Sequence, residues 1–315
     1  AKLGKGLPIV LLGDGFIDTE INDGTYDAVM DKAFENLFTE EPIKSLRDYF
    51  NVYAVTAVSK HNIFGTGYET ALGCELAGGN STGISGEDNA VQRYVQCVDN
   101  IDMSETLAVV ILNSPAYAGT TYFGYTNQTK VVEFAIAYCP VIYDLQSESF
   151  RQVLVHEAVG HGFAKLEDEY AYQENGTISS KEIKNVQYLQ TLGWAQNVDF
   201  TSDPSQVLWS AFLNDNRYVS EKLGVFEGAC TYIKGAYRPS EESMMRSNIL
   251  GFNAPSRKAL YDRTMKTATG ASKSTYEEFV EFDLRNGGRT RSTAVYAEPG
   301  KPFAHPRFVN KALTK

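Results

Sequence analysis

The sequence is poor in the residues that most often mark a function. Only 4 of its 315 residues are cysteine and only 4 are histidine. The cysteines, Cys74, Cys97, Cys139 and Cys230, show no C-x-x-C spacing, which excludes a zinc ribbon and a thioredoxin-like redox pair. Basic residues are also short: 29 Lys and Arg stand against 39 Asp and Glu, a net charge of −10. Such a surface repels phosphate backbones and anionic lipid, so nucleic acid and charged membranes are excluded as partners. No run of about 18 apolar residues is present, so no transmembrane segment is expected. The chain starts at Ala1 with no signal-peptide pattern, which fits a sequence trimmed of a targeting segment.

What is present is globular in composition. Hydrophobic residues make up 43% and charged residues 22%, enough apolar material for a sizeable core. The 19 Tyr and 17 Phe suit a binding cleft and a plain core equally. Cys74 and Cys97 flank the Gly/Ser/Asn-rich stretch ALGCELAGGNSTGISGEDNA. Two readings stand for them, a disulfide closing that loop or free thiols.

The first half alternates two kinds of segment. Apolar or β-branched runs at 7–15 (LPIVLLGDG), 50–59 (FNVYAVTAVS), 106–113 (TLAVVILN) and 133–143 (EFAIAYCPVIY) read as strands. Residues 25–38 and 88–99 carry apolar side chains at helical spacing. The alternation predicts an α/β fold with a mostly parallel, helix-covered sheet. Asp14, between two glycines, reads as a turn former. A helix is expected over 147–170, capped by Ser147 or Ser149. Beyond about residue 175 the strand signal fades. Helices are expected in NVQYLQTLGWAQN, DPSQVLWSAFLND, SRKALYDRTMKTATG and KSTYEEFVEFDLRN, with the tail 286–315 wrapping the surface. The predicted division is an N-terminal sheet part with the active-site helix, 1–170, and a mainly helical part, 171–315.

One constellation carries chemistry. His156 and Glu157 are followed by His161, so two of the four histidines fall within six residues of each other, beside a carboxylate. Zinc hydrolases need two imidazoles from one rigid helix, a further ligand from later chain, and a neighbouring carboxylate. The usual spacing between the histidines is four; here it is five. On a regular α-helix five residues sweep about 500°, roughly 140° off register, so both rings cannot meet one ion. A one-residue π-bulge between Glu157 and His161 restores the register, and Gly160 is able to absorb it. The competing geometry is a regular helix, which points Glu157 and His161 together and excludes His156. In the plainest reading both histidines are hydrogen-bonded core or surface groups.

The stretch HEAVGHGFAKLEDEY resembles the signature of the bacterial IgA-peptidase family of zinc metallopeptidases, in which an HE…GH helix runs into Leu-x-Asp-Glu-Tyr. LLGDGF, FNVYAVTAVS, VVILNS, YRPSEESMMR and FNAPSRKALY extend the resemblance along most of the chain. The HExxGH spacing is also similar to that of a dipeptidyl-peptidase family. The resemblance implies a metzincin-like zincin, with an active-site helix under a twisted sheet and a Met turn beneath the metal. Ser243-Met244-Met245-Arg246 matches that turn, Met245 best. It implies Zn2+ held by His156, His161 and a third ligand among Glu167, Asp168 and Glu169, with Asp168 preferred. Gly162 is expected to let the chain turn back there. His61 and His305 are weaker alternatives.

The implied activity is peptide-bond hydrolysis, with Glu157 as general base and Tyr170 or Tyr237 as oxyanion partner. The substrate is a protein or peptide laid along a sheet edge, with VVILNS and Gly119-Thr120-Thr121 as candidate edges. A secreted or cell-envelope location follows from the same resemblance. Two further functions stand beside it. One is a non-catalytic zinc-containing binding or adhesion module; the other is a dipeptidyl-peptidase-like exopeptidase.

Overall fold

The computed structural model describes residues 1–76, 83–271, 274–288 and 304–314. They fall into two compact units. One holds Ala1–Thr39, Arg47–Phe163 and residues 304–314; the other holds Glu40–Leu46 and residues 164–288.

The first unit is built on the apolar runs of the sequence. They form strands β1 (Leu7–Asp14), β2 (Phe50–Val55), β3 (Leu107–Leu112) and β5 (Ala135–Pro140). The four are parallel neighbours in the order β5-β3-β1-β2. Every residue of β1, β3 and β5 is buried, as expected of central parallel strands covered on both faces. Strand β2 is only partly buried and shorter than its sequence run, because it forms one edge of the sheet. Pro140, which has no N–H to give a ladder, sits at the last position of β5. Helix α1 (Thr25–Leu37) buries Tyr26, Val29, Met30, Ala33 and Leu37 along one stripe, and α2 (Asp88–Val95) buries Ala90, Val91 and Val95.

Two strands of this sheet were not legible in the sequence. Strand β4 (Thr120–Phe123) is antiparallel to β5, with Thr120 opposite Tyr138 and Phe123 opposite Ala135. Beyond it lies β8 (Arg307–Phe308), parallel to β4, which completes the order β8-β4-β5-β3-β1-β2. The tail therefore does more than wrap the surface: its described part extends the sheet. Strand β3, one of the two candidate substrate edges, lies between β1 and β5 and has no open side.

Asp14 is not a simple turn former. Its buried carboxylate accepts from Ser59 Oγ (3.2 Å), Thr70 Oγ1 (2.8 Å) and the backbone N–H groups of Leu72 (2.9 Å) and Cys74 (3.0 Å). One side chain thus fastens the long connection after β2 to the end of β1. All four cysteines are free thiols, Cys74 buried and Cys97 exposed, so no disulfide closes the loop between them.

The second unit is helical, as expected, at α4 (Ser180–Thr191), α5 (Ala254–Thr269) and α6 (Tyr276–Arg285). The helix expected over DPSQVLWSAFLND shrinks to Ser210–Leu213. Asp203 and Asp199 accept from the N–H groups of Ser205 and Leu208 at 2.9 Å each, and these side-chain bonds displace the helical ladder. A hairpin stands where loops were expected, β6 (Phe226–Ala229) with β7 (Tyr232–Arg238). Its turn residues, Cys230 and Thr231, have φ of 51° and 68°. That geometry normally recruits Asn-Gly, so the sequence carries no hairpin signal. Buried Arg257 ties this unit together, donating to Asp283 from Nε and Nη2 (2.7 Å each) and to Glu221 from Nη2 (2.6 Å).

The Asp14 arrangement sets a stability expectation. Asp14→Ala removes an acceptor from four buried or half-buried donors at once. Chemical denaturation should show a loss on the order of 3 kcal/mol; a loss below 1 kcal/mol would mean that water replaces the carboxylate freely.

Candidate metal centre

The histidine helix begins as the sequence predicts. Ser147 caps α3 (Glu148–Leu154), its hydroxyl accepting from Phe150 N–H at 3.1 Å. From Val155 to Phe163 the helix changes to the wider π form, and all nine residues there are buried. An i→i+5 ladder returns residues five apart to one face. The ring centroids of His156 and His161 accordingly lie 4.7 Å apart, with planes at 80°. The widening is a continuous π segment, longer than the single bulge expected from the spacing.

Two glycines have definite tasks near this segment. A Cβ on Gly162 would stand 2.6 Å from Leu107 Cδ1 and 3.2 Å from the Glu157 carbonyl oxygen. Gly162 is thus a packing requirement of the helix against β3. It does not make the reversal that the sequence reading gave it, since it still lies inside the helix. The chain turns at Lys165, which takes a φ of 55°. The second glycine is Gly119, just before β4. A Cβ there would stand 2.7 Å from Glu157 Oε1 and 2.8 Å from Glu157 Cγ.

Glu157 is fully buried. The Thr121 hydroxyl donates to its Oε2 at 2.7 Å, with the Glu157 carbonyl oxygen 3.0 Å from the same hydroxyl. The carboxylate is therefore held between strand β4 and its own helix. Burial, and after it the charge of Glu157, push the Cys139 thiol well above its usual range, so Cys139 stays protonated. Burial acts in the same way on Cys230, followed by the charges of Glu167 and Asp168.

The acidic stretch after the helix separates into distinct roles. One ligand atom each from His156, His161 and Asp168 lies within 4.8 Å of the other two, and all three residues are buried. No other such group of His, Cys, Asp and Glu occurs among the described residues. The neighbouring Glu169 is enclosed by donors: Asn197 Nδ2 at 2.9 Å, Ser243 Oγ at 2.6 Å, and Asn253 Nδ2 at 3.0 and 2.9 Å. Burial raises its pKa, against the lowering effect of those three partners. The backbone is fastened as well. Asp168 O accepts from Cys230 N–H and Glu169 N–H donates to Met245 O, both at 2.9 Å. Asn197 also brackets Glu167, accepting from its N–H at 2.9 Å and donating to its carbonyl at 2.8 Å.

Met244 and Met245 are both fully buried in the short helix Met244–Ser247. His61 has a local role: its Nδ1 accepts from Glu69 N–H at 2.9 Å and its ring meets Tyr68 edge-on at 5.5 Å. Neither His61 nor His305 belongs to the three-residue group.

Sequence reasoning missed Thr121 as the partner of Glu157, and Asn197 and Asn253 as partners of Glu169. Asn253 did carry a signal: Asn-Ala-Pro marks a helix start, and its Oδ1 caps α5 by accepting from Ser256 N–H at 3.1 Å. The task of its amide nitrogen has no such signal.

The profile of the IgA Peptidase M64 family matches residues 2–219. No curated protein matches the chain. Solved structures similar to it include the crystal structure of metalloproteinase-II from Bacteroides fragilis, at 16% identity and a TM-score of 0.26. That similarity covers 53% of this chain and 44% of the other, so the chain spans less than half the length of that structure. With well over half of its length matched by one profile, this chain belongs to the IgA peptidase M64 family.

Proposed function

We propose that the protein is a zinc-dependent peptidase in which His156, His161 and Asp168 hold the metal and Glu157 is the general base. The observation that carries this reading is the convergence of those three donor residues within 4.8 Å, in sequence next to a buried carboxylate. The donor chemistry fits the ion. Two neutral imidazoles and one carboxylate are a common zinc set, and a three-ligand site leaves a coordination position for water or substrate. When bound, zinc supplies Lewis-acid chemistry, acidifying water and polarising the peptide carbonyl.

The remaining work belongs to the chain itself. Glu157 accepts the proton of the attacking water and passes it to the leaving amine. Thr121 fixes Oε2 by its hydrogen bond, while the missing side chain at Gly119 leaves space beside Oε1. Glu169 is read as a positioning residue: it ties the peptide that carries Asp168 to Asn197, Ser243 and Asn253. Partners of this kind orient ligands and typically alter metal affinity by about 10–100-fold. Met245, in the family's Met turn, is read as the floor of the site. An extended protein or peptide substrate adds to the sheet edge at Gly119-Thr120-Thr121, and Tyr170 and Tyr237 are candidates for the oxyanion partner. The family relationship supports a secreted or cell-envelope location, and among the described residues no helix is long and apolar enough to cross a membrane. A purely zinc-holding adhesion module leaves the Glu157, Thr121 and Gly119 arrangement without a task.

Three measurements test this reading. A metal-edge X-ray experiment on crystals should find zinc on His156, His161 and Asp168. Glu157→Gln should retain that zinc and lose turnover by roughly 10²–10⁴-fold; near-normal activity in this variant would remove Glu157 as the base. Thr121→Val, which deletes one bond to a charged group, should lower kcat about tenfold with metal content unchanged.

Glu169→Gln turns an NH2 group toward Asn253 and Asn197, both of which already present N–H donors. Chelator competition should show zinc bound about 10–100-fold more weakly; an unchanged affinity would reduce Glu169 to a purely structural role.

A further inference from the structure

Two connections at one end of the sheet are tied to each other. The chain leaves the carboxyl ends of the parallel neighbours β3 and β5 through residues 113–119 and 141–147. Ligands of open α/β sheets bind outside the carboxyl ends of the strands, so loops there are placed to meet a substrate. Val141 N–H donates to Leu112 O at 3.0 Å, and Tyr143 N–H to Pro115 O at 3.1 Å. The rings of Tyr117 and Tyr143 join the same two loops, nearly parallel at 23° and 6.4 Å apart between centroids.

Tyr143 is an unusual residue for its position. Its φ is 63°, a left-handed conformation that bulky side chains seldom take and that normally recruits Gly or Asn. The residue is 58% exposed, so burial does little to offset the strain. The flanking chain holds the conformation: Asp144 N–H donates to Ile142 O and Gln146 N–H to Asp144 Oδ1, both at 2.8 Å, and the Ser147 hydroxyl donates to Ile142 O. Residues kept in sparsely populated conformations cluster where ligands are gripped. The setting is acidic. Exposed Asp144 follows directly, and the first basic residue after it, Arg151, is bonded to Glu148 from Nε at 2.9 Å. The whole chain carries a net charge of −10.

We propose that Tyr143 is a specificity-determining residue whose exposed ring takes the guanidinium of a substrate arginine a few residues from the cut. The proposal rests on the peptidase reading above and adds a side-chain preference to it. Tyr117 is two residues from Gly119, a span of at most about 7 Å, and Gly119 stands against the Glu157 carboxylate. An extended substrate advances about 3.3 Å per residue, so it passes Tyr143 roughly two to five residues from the bond attacked beside Glu157. A guanidinium is planar and weakly hydrated, so it stacks on an aromatic face and is attracted by the ring's negative quadrupole. Asp144 adds a carboxylate of opposite sign at the next position. An acidic side chain would be repelled by both groups.

The test uses the zinc-loaded, full-length protein and a parent peptide without arginine whose cut bond is located by mass spectrometry. Arginine is then placed singly at each position around that bond, with citrulline, its uncharged planar counterpart, in a parallel set. At one position two to five residues from the cut, arginine should raise kcat/KM about fivefold over citrulline. Tyr143→Gly, which removes the ring and suits the left-handed backbone, should bring that ratio below twofold, whereas Tyr143→Phe should keep it. The same ratio in Tyr143→Gly as in the unaltered enzyme would overturn the proposal and leave the peptidase reading intact. So would the absence of any arginine-responsive position in the unaltered enzyme. Cleavage of no peptide, with zinc bound, would overturn the peptidase reading, and the arginine preference with it.

Discussion

The site depends on one backbone constraint: a helix that widens to π form where two imidazoles stand five residues apart. In a regular helix His156 and His161 would diverge by roughly 140°. Over Val155–Phe163 they are instead brought to 4.7 Å between ring centroids. A π segment has poorer local packing than an α-helix and seldom persists on its own. Here the surroundings supply what the ladder lacks. Every residue of the segment is buried, and Gly162 lets the backbone press against Leu107 closely enough to hold the turn. The packing of a small residue on the sheet thereby stabilises a helix geometry that the proposed metal ligands require.

The acidic stretch that follows shows how adjacent carboxylates acquire different tasks. Glu167, Asp168 and Glu169 look interchangeable as letters, yet their surroundings separate them. Glu169 is surrounded by amide and hydroxyl donors from Asn197, Ser243 and Asn253, which commits it to holding the chain. Asp168 is the member that converges with the histidines. The division has a simple physical origin. A carboxylate with its oxygens already bonded to three side chains has little left to offer a cation, whereas its neighbour is displayed by the segment so anchored.

Much of this was legible in the sequence, for reasons that differ from residue to residue. The four parallel strands were readable because buried strands need continuous apolar runs, and LPIVLLGD and LAVVIL have no other plausible use. The widened helix was readable because its histidine spacing is incompatible with a regular one. Strand β4 was hidden because TTYF is short and polar at its start, and those polar groups serve Glu157 and the backbone of Ile84. The hairpin of β6 and β7 was hidden because Cys230 and Thr231 adopt a turn conformation usually left to Asn and Gly. Partners such as Asn197 were invisible for a more general reason. A single amide placed by tertiary structure leaves no periodicity, so nothing in the sequence ties residue 197 to residue 169.

Strands β4 and β8 run opposite to the four parallel core strands; β4 holds the Glu157 carboxylate through Thr121 and carries the added strand β8. An edge strand left bare presents unpaired backbone groups that recruit other chains, and proteins usually cover such edges along their length. Here β8 supplies the cover at Tyr122 and Phe123.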